Sequence, residues 1–130
     1  MTLGTLPMPS LLAFYFVLQG IAIVAWWLVL LVVPASREFF LPRHLDELAL
    51  LGFWLSDALA AAGSLYAGWC MFRASRNRVA SVWFVAGCMT YAALYCVGIS
   101  ILAGSGWLAA AFMAPAAILS VGGAWLATRD

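Results

Sequence analysis

Residues 51–69 read LGFWLSDALAAAGSLYAGW, a run of apolar and small residues with one carboxylate, Asp57, near its middle. An acid in such company has to be reconciled with lipid or with a packed helix. The rest of the chain says which surroundings to expect. Of its 130 residues 67% are hydrophobic and only 8% are charged, with a mean hydropathy of +1.06, too little charge to cover the surface of a soluble domain. Lysine is absent, and the six arginines (Arg37, Arg43, Arg73, Arg76, Arg78 and Arg129) all lie outside the apolar runs. A formal net charge of +1 leaves no basic footprint for nucleic acid.

A helix needs about 20 apolar residues to span the hydrocarbon. Four stretches qualify, at about Ser10–Val33, Leu48–Phe72, Val79–Ala103 and Trp107–Ala127, so the expected fold is an all-α, single-domain bundle of four transmembrane helices with short loops. The N-terminal run lacks a basic n-region and is too long for a signal-peptide core, and it reads as a retained span. The connections RASRNR (73–78) and GSG (104–106) are tight, which makes spans two to four antiparallel to their sequence neighbours. Trp69, Trp83 and Trp125 fall near one membrane face and Trp107 near the other, as interfacial belts do, whereas Trp26, Trp27 and Trp54 lie deeper. The second loop and C-terminus carry four arginines against two in the first loop, which places both termini in the cytoplasm, with a bacterial plasma membrane as the expected location.

Asp57 lies about 14 Å inside the second span at 1.5 Å per residue. A charge at such depth costs at least about 2.5–3.5 kcal/mol, so the side chain should face the bundle interior and be paired or protonated. No span holds a lysine or arginine to pair with it, so a neutral, hydrogen-bonding Asp57 is the expected resting state. Gly52, Ser56, Ala60, Ser64 and Gly68 recur every four residues as a small-residue packing stripe that lets another helix approach, and Asp57 borders it. In the third span Cys88, Tyr91 and Tyr95 share one face, with Tyr95 at about the depth of Asp57; Trp26 lies at a similar level in the first span, and Trp54 precedes Asp57 by one turn. Asp57, Trp54, Ser64, Tyr91, Tyr95 and Trp26 are therefore the candidates for a ligand or proton site, in which an acid ringed by aromatics holds a lipophilic cation or exchanges a proton. The plainer reading is a latch, the acid hydrogen-bonded to a tyrosine or serine of a neighbouring helix.

Elsewhere the chemistry is sparse. Gln19 reads as a helix-pairing residue, and Pro115 as a bend in the fourth span. His44 with Asp46 and Glu47 is a weak metal signal, and a solvated loop with Phe39, Phe40 and Leu41 dipping into the interface explains that segment better. Arg73, Arg76 and Arg78 are candidates for contact with lipid headgroups, although they suffice as topology determinants. Cys70, Cys88 and Cys96 form no Cys-x-x-Cys motif and read as small buried hydrophobes. With one histidine outside the spans and no phosphate loop or hydrolase motif, no cofactor or catalytic set is expected.

The architecture resembles that of the small multidrug-resistance exporters, four spans with a membrane-embedded acid. Those proteins carry their acid in the first span, where this chain has Gln19, so the resemblance assigns no residues. The leading expectation is a non-enzymatic membrane component that binds lipid or serves in an assembly, as a homodimer or within a larger membrane complex. A proton-coupled transporter with Asp57 as coupling carboxylate comes second, and an intramembrane lipid-modifying enzyme third.

Overall fold

The computed structural model describes residues 8–40 and 47–129. Its elements are α1 (Met8–Val32), a 3-10 helix η1 (Pro34–Phe39), α2 (Glu47–Phe72), α3 (Arg78–Ala103) and α4 (Trp107–Ala127). Among the described residues there is no strand. Among the described residues three helices, Pro9–Val32 within α1, α3 and α4, are long and apolar enough to cross a membrane. At 26 residues each, α2 and α3 are the longest helices.

Local chemistry sets the helix ends. Pro34 cannot continue α1, and it opens η1, from which the Arg37 Nε donates to the Leu30 carbonyl (2.8 Å), satisfying one of the acceptors at the α1 C-terminus. After α2 the chain turns in a Schellman arrangement: the Ser75 amide reaches the Cys70 carbonyl (2.9 Å) and the Ala74 amide reaches that of Met71 (3.2 Å). Ala74 takes the left-handed position of this turn, φ 47°, that glycine usually fills. Gly104 and Gly106, at φ 62° and 80°, supply the same backbone freedom between α3 and α4.

The helices pack mainly as two antiparallel pairs, α1 with α2 and α3 with α4; α2 and α3 share a lesser interface, and α1 and α4 touch only narrowly. The interior holds mostly small residues, among them Ala13, Ala60, Ala67, Ala86, Ala117 and Ala124 with Ser64, Ser100 and Ser120, plus a few large ones such as Phe16 and Leu30. Leu, Ile, Phe and Trp side chains project outward from every long helix, including Leu55, Leu59 and Leu65 on α2 and Leu94 and Leu102 on α3. This inverts a water-soluble protein and suits a hydrocarbon solvent, in which close backbone approach replaces hydrophobic drive.

Closest approach occurs between α1 and α2. A Cβ on Gly68 would lie 2.9 Å from the Ala13 carbonyl oxygen and 2.5 Å from Val17 Cγ2, and one on Gly20 would lie 3.0 Å from the Ala61 carbonyl oxygen. The Gly52–Gly68 stripe thus packs over only part of its length. Ala60, Ser64 and Gly68 are buried, whereas Gly52 and Ser56 are exposed, Gly52 with nothing within 4 Å of its position. Gly68→Ala should therefore destabilise the protein by about 1–3 kcal/mol through overpacking against backbone. Gly87→Ala, where a Cβ meets nothing within 4 Å, should be neutral or slightly stabilising. Thermal melts of the two variants in one detergent check the contrast.

Candidate functional site

Two polar centres lie inside the bundle. The first joins α1, α2 and α4 around Gln19. Its Oε1 accepts from the Tyr15 hydroxyl and from Ser120 Oγ (2.9 Å), and its Nε2 donates to Ser64 Oγ (3.1 Å), which donates onward to the Ala60 carbonyl (2.7 Å). The Tyr15 hydroxyl also lies 3.1 Å from the Ala116 carbonyl and 3.2 Å from Ser120 Oγ. No buried side-chain nitrogen or oxygen among the described residues lacks a partner. This cluster is saturated, and it bridges α1 and α4 where their apolar contact is thin. It behaves as a lock.

The second centre is Asp57. Its Oδ2 accepts a 2.8 Å hydrogen bond from the Trp27 indole Nε1. The latch partner is thus an indole of α1, and neither a tyrosine nor a serine. An indole can only donate, so the pair has a fixed polarity and leaves the carboxyl group further acceptor capacity.

Asp57 forms part of the wall of a cavity of about 90 Å³ at the end of the bundle where α1 ends and α4 begins. Every long helix contributes to it: Trp26 and Trp27 from α1, Phe53 and Ser56 from α2, Tyr91, Tyr95, Cys96 and Ser100 from α3, Ala109 and Met113 from α4, with Gly106 just before α4. Phe40 closes one side, its ring 3.9 Å from that of Trp26 in an edge-on contact. Phe53 and Tyr95 meet edge-on at 4.7 Å, and Tyr91 lies 6.4 Å from Tyr95. The result is an apolar, aromatic-walled space with a carboxyl group at its edge. A cation would find both the charge and the ring faces there, and an alkyl chain would find the apolar wall.

Of the candidates read from sequence, Asp57, Trp26, Tyr91 and Tyr95 are brought together at this cavity. Ser64 belongs instead to the Gln19 cluster. Trp54 points outward, 54% exposed, into a separate groove between α1 and α2 that Asp57 and Trp27 also line. Trp27, Phe53 and Cys96 were not singled out, and neither was Phe40 as a wall; its expected dip into the interface is corrected, since the ring turns inward against Trp26 while Phe39 stays 69% exposed. Trp27 was legible in part, because an indole at the level of a buried acid is the donor such an acid needs. Arg73 and Arg76 are exposed and Arg78 is half-buried at the α2–α3 turn, beside the exposed Trp69 and Trp83. Leu41, Arg43, His44 and Asp46 lie outside the described residues, as does the Glu47 side chain; among the described residues no group of acids, histidines and cysteines is placed to hold a metal. No family model, curated protein or solved structure matches the chain.

The two centres predict different mutational outcomes. Gln19→Leu removes the hub of the lock and should cost about 1–2 kcal/mol, whereas Asp57→Asn keeps an acceptor for Trp27 and should change stability by less than about 0.6 kcal/mol. Unfolding of both variants in mixed micelles, followed by circular dichroism, measures the difference.

Proposed function

We propose that this chain is a four-span membrane protein that binds an amphiphilic molecule, a lipid or lipid-like compound, in the cavity walled by all four long helices. One observation carries the reading: the only acid between Leu48 and Ala127 lies on the wall of an otherwise apolar, aromatic space. A latch alone asks for no space beside it. Among the described residues that line the cavity no nucleophile is hydrogen-bonded to a base, and binding asks only for the space and the rings that are there.

The reading takes α2 as the fourth span. Support comes from its outward surface, where Leu55, Leu59, Leu65, Trp69 and Phe72 are all exposed. The Ser56 hydroxyl, at the rim of the cavity, donates to the Phe53 carbonyl of its own helix (2.9 Å) and so needs no water. With four spans and the arginine count, both termini lie in the cytoplasm and the cavity lies in the outer half of the membrane. Impermeant maleimide should then label Glu38→Cys and Ser105→Cys from outside intact cells and Ser75→Cys only after lysis. Labelling of Glu38→Cys and Ser75→Cys from the same side would contradict a crossing by α2.

Binding itself is tested by filling the cavity. Ala92 lines it from α3, and Ala92→Phe occupies the space without touching Asp57 chemically. Native mass spectrometry of gently extracted protein should find a defined amphiphile on the wild type and none on Ala92→Phe. Identical passengers on both would contradict the proposal.

A further inference from the structure

The Trp27–Asp57 bond separates two spaces. On one side is the cavity walled by all four long helices, which also opens outward past the exposed Ser56 and Tyr91. On the other is a groove of about 190 Å³ between α1 and α2, lined by Val24, Leu28, Leu31, Trp54 and Ala58 and by the same Trp27 and Asp57. Leu28, Leu31 and Trp54 are more than half exposed, so this groove opens outward from the bundle, toward lipid in a membrane. One side-chain hydrogen bond of 2.8 Å therefore stands where the two spaces meet, and no other described residue lines both.

We propose that the Trp27–Asp57 pair is a lateral gate through which a lipophilic ammonium compound passes from the bilayer, by the α1–α2 groove, into the interior cavity. The inference rests on the binding reading above and adds the ligand class and the route. The class follows from the wall. Among the described residues no arginine or lysine lines the cavity or the groove beside the Asp57 carboxyl group, and Trp26, Phe53, Tyr91 and Tyr95 offer ring faces to a soft cation. The route follows from the shared residues. An incoming ammonium group exchanges the indole N–H for itself at Asp57, so the bond that closes the gate is released by the ligand that crosses it. The alkyl chain stays among apolar groups throughout, in the groove before passage and in the cavity after it. No covalent step is involved.

The test uses full-length protein in phosphatidylcholine nanodiscs and a terminally brominated alkyl trimethylammonium, which quenches tryptophan on contact. Stopped-flow mixing should give a fast phase from lipid-facing tryptophans and a slower one from Trp26 in the cavity, the slower phase being absent in Ala92→Phe. Ala58 lines only the groove and is exposed, so Ala58→Phe should fold normally and slow the second phase by about tenfold with little change in its amplitude. Trp27→Phe keeps an aromatic ring, removes the donor, and should speed it by a similar factor. Asp57→Asn should weaken binding of the ammonium compound by about a hundredfold while leaving the brominated alcohol of equal chain length unaffected.

The possible failures are separable. A slow phase whose rate is unchanged by Ala58→Phe or by Trp27→Phe overturns the gate and leaves the binding site standing. Equal binding of alcohol and ammonium by the wild type overturns the cationic class alone. Absence of a slow phase with either probe overturns the binding reading and the gate together.

Discussion

Everything in this bundle depends on polar groups being satisfied from within while the helices approach closely enough to touch backbone to backbone. Lipid tails are as apolar as leucine, so burying leucine gains little, and the long aliphatic side chains are left outside. What holds α1 to α2 is the absence of side chains at Gly20 and Gly68, where carbonyl oxygens of Ala61 and Ala13 occupy the space a Cβ would need. Polar side chains in such an interior must find each other, because no water is present to substitute.

The two polar centres obey that rule with different results. Around Gln19 the carboxamide, two serines, a tyrosine and backbone carbonyls close on one another and join three helices. At Asp57 one indole meets the acid, and the surrounding rings stand back to leave a cavity on one side and a groove on the other. The difference lies in side-chain size. Small residues surround the first centre and let the helices converge. Trp26, Trp27, Phe40 and Phe53 surround the second and wall the cavity at that end of the bundle.

The helix limits were legible because apolar runs, tight polar connections and tryptophan positions all pointed the same way. Expected and observed ends differ by no more than two residues: Ser10–Val33 against Met8–Val32, and Leu48–Phe72 against Glu47–Phe72. The gathering of Asp57 with Trp26, Tyr91 and Tyr95 also followed from counting turns. Facing was harder to read. A repeat of small residues every four positions follows one side of a helix, yet a neighbour that crosses at an angle covers only part of it; hence Ala60, Ser64 and Gly68 pack while Gly52 and Ser56 do not. Choosing Trp27 over Trp26 as the donor to Asp57 needs the helix rotation, which adjacent tryptophans in a uniformly apolar helix do not reveal. The inward turn of Phe40 depends on η1, a short element with no periodicity to signal it.

The central claim is that the Trp27 indole and the Asp57 carboxyl group meet at the edge of an occupiable cavity. Indole 15N–1H correlation spectroscopy of the protein in micelles, with the Trp27 signal assigned by its loss in Trp27→Phe, tests this most directly. The account predicts that Asp57→Leu and addition of an alkyl trimethylammonium salt each move the Trp27 signal strongly, while the signals of the outward-facing Trp83 and Trp125 respond little to Asp57→Leu. A Trp27 signal indifferent to both would contradict it.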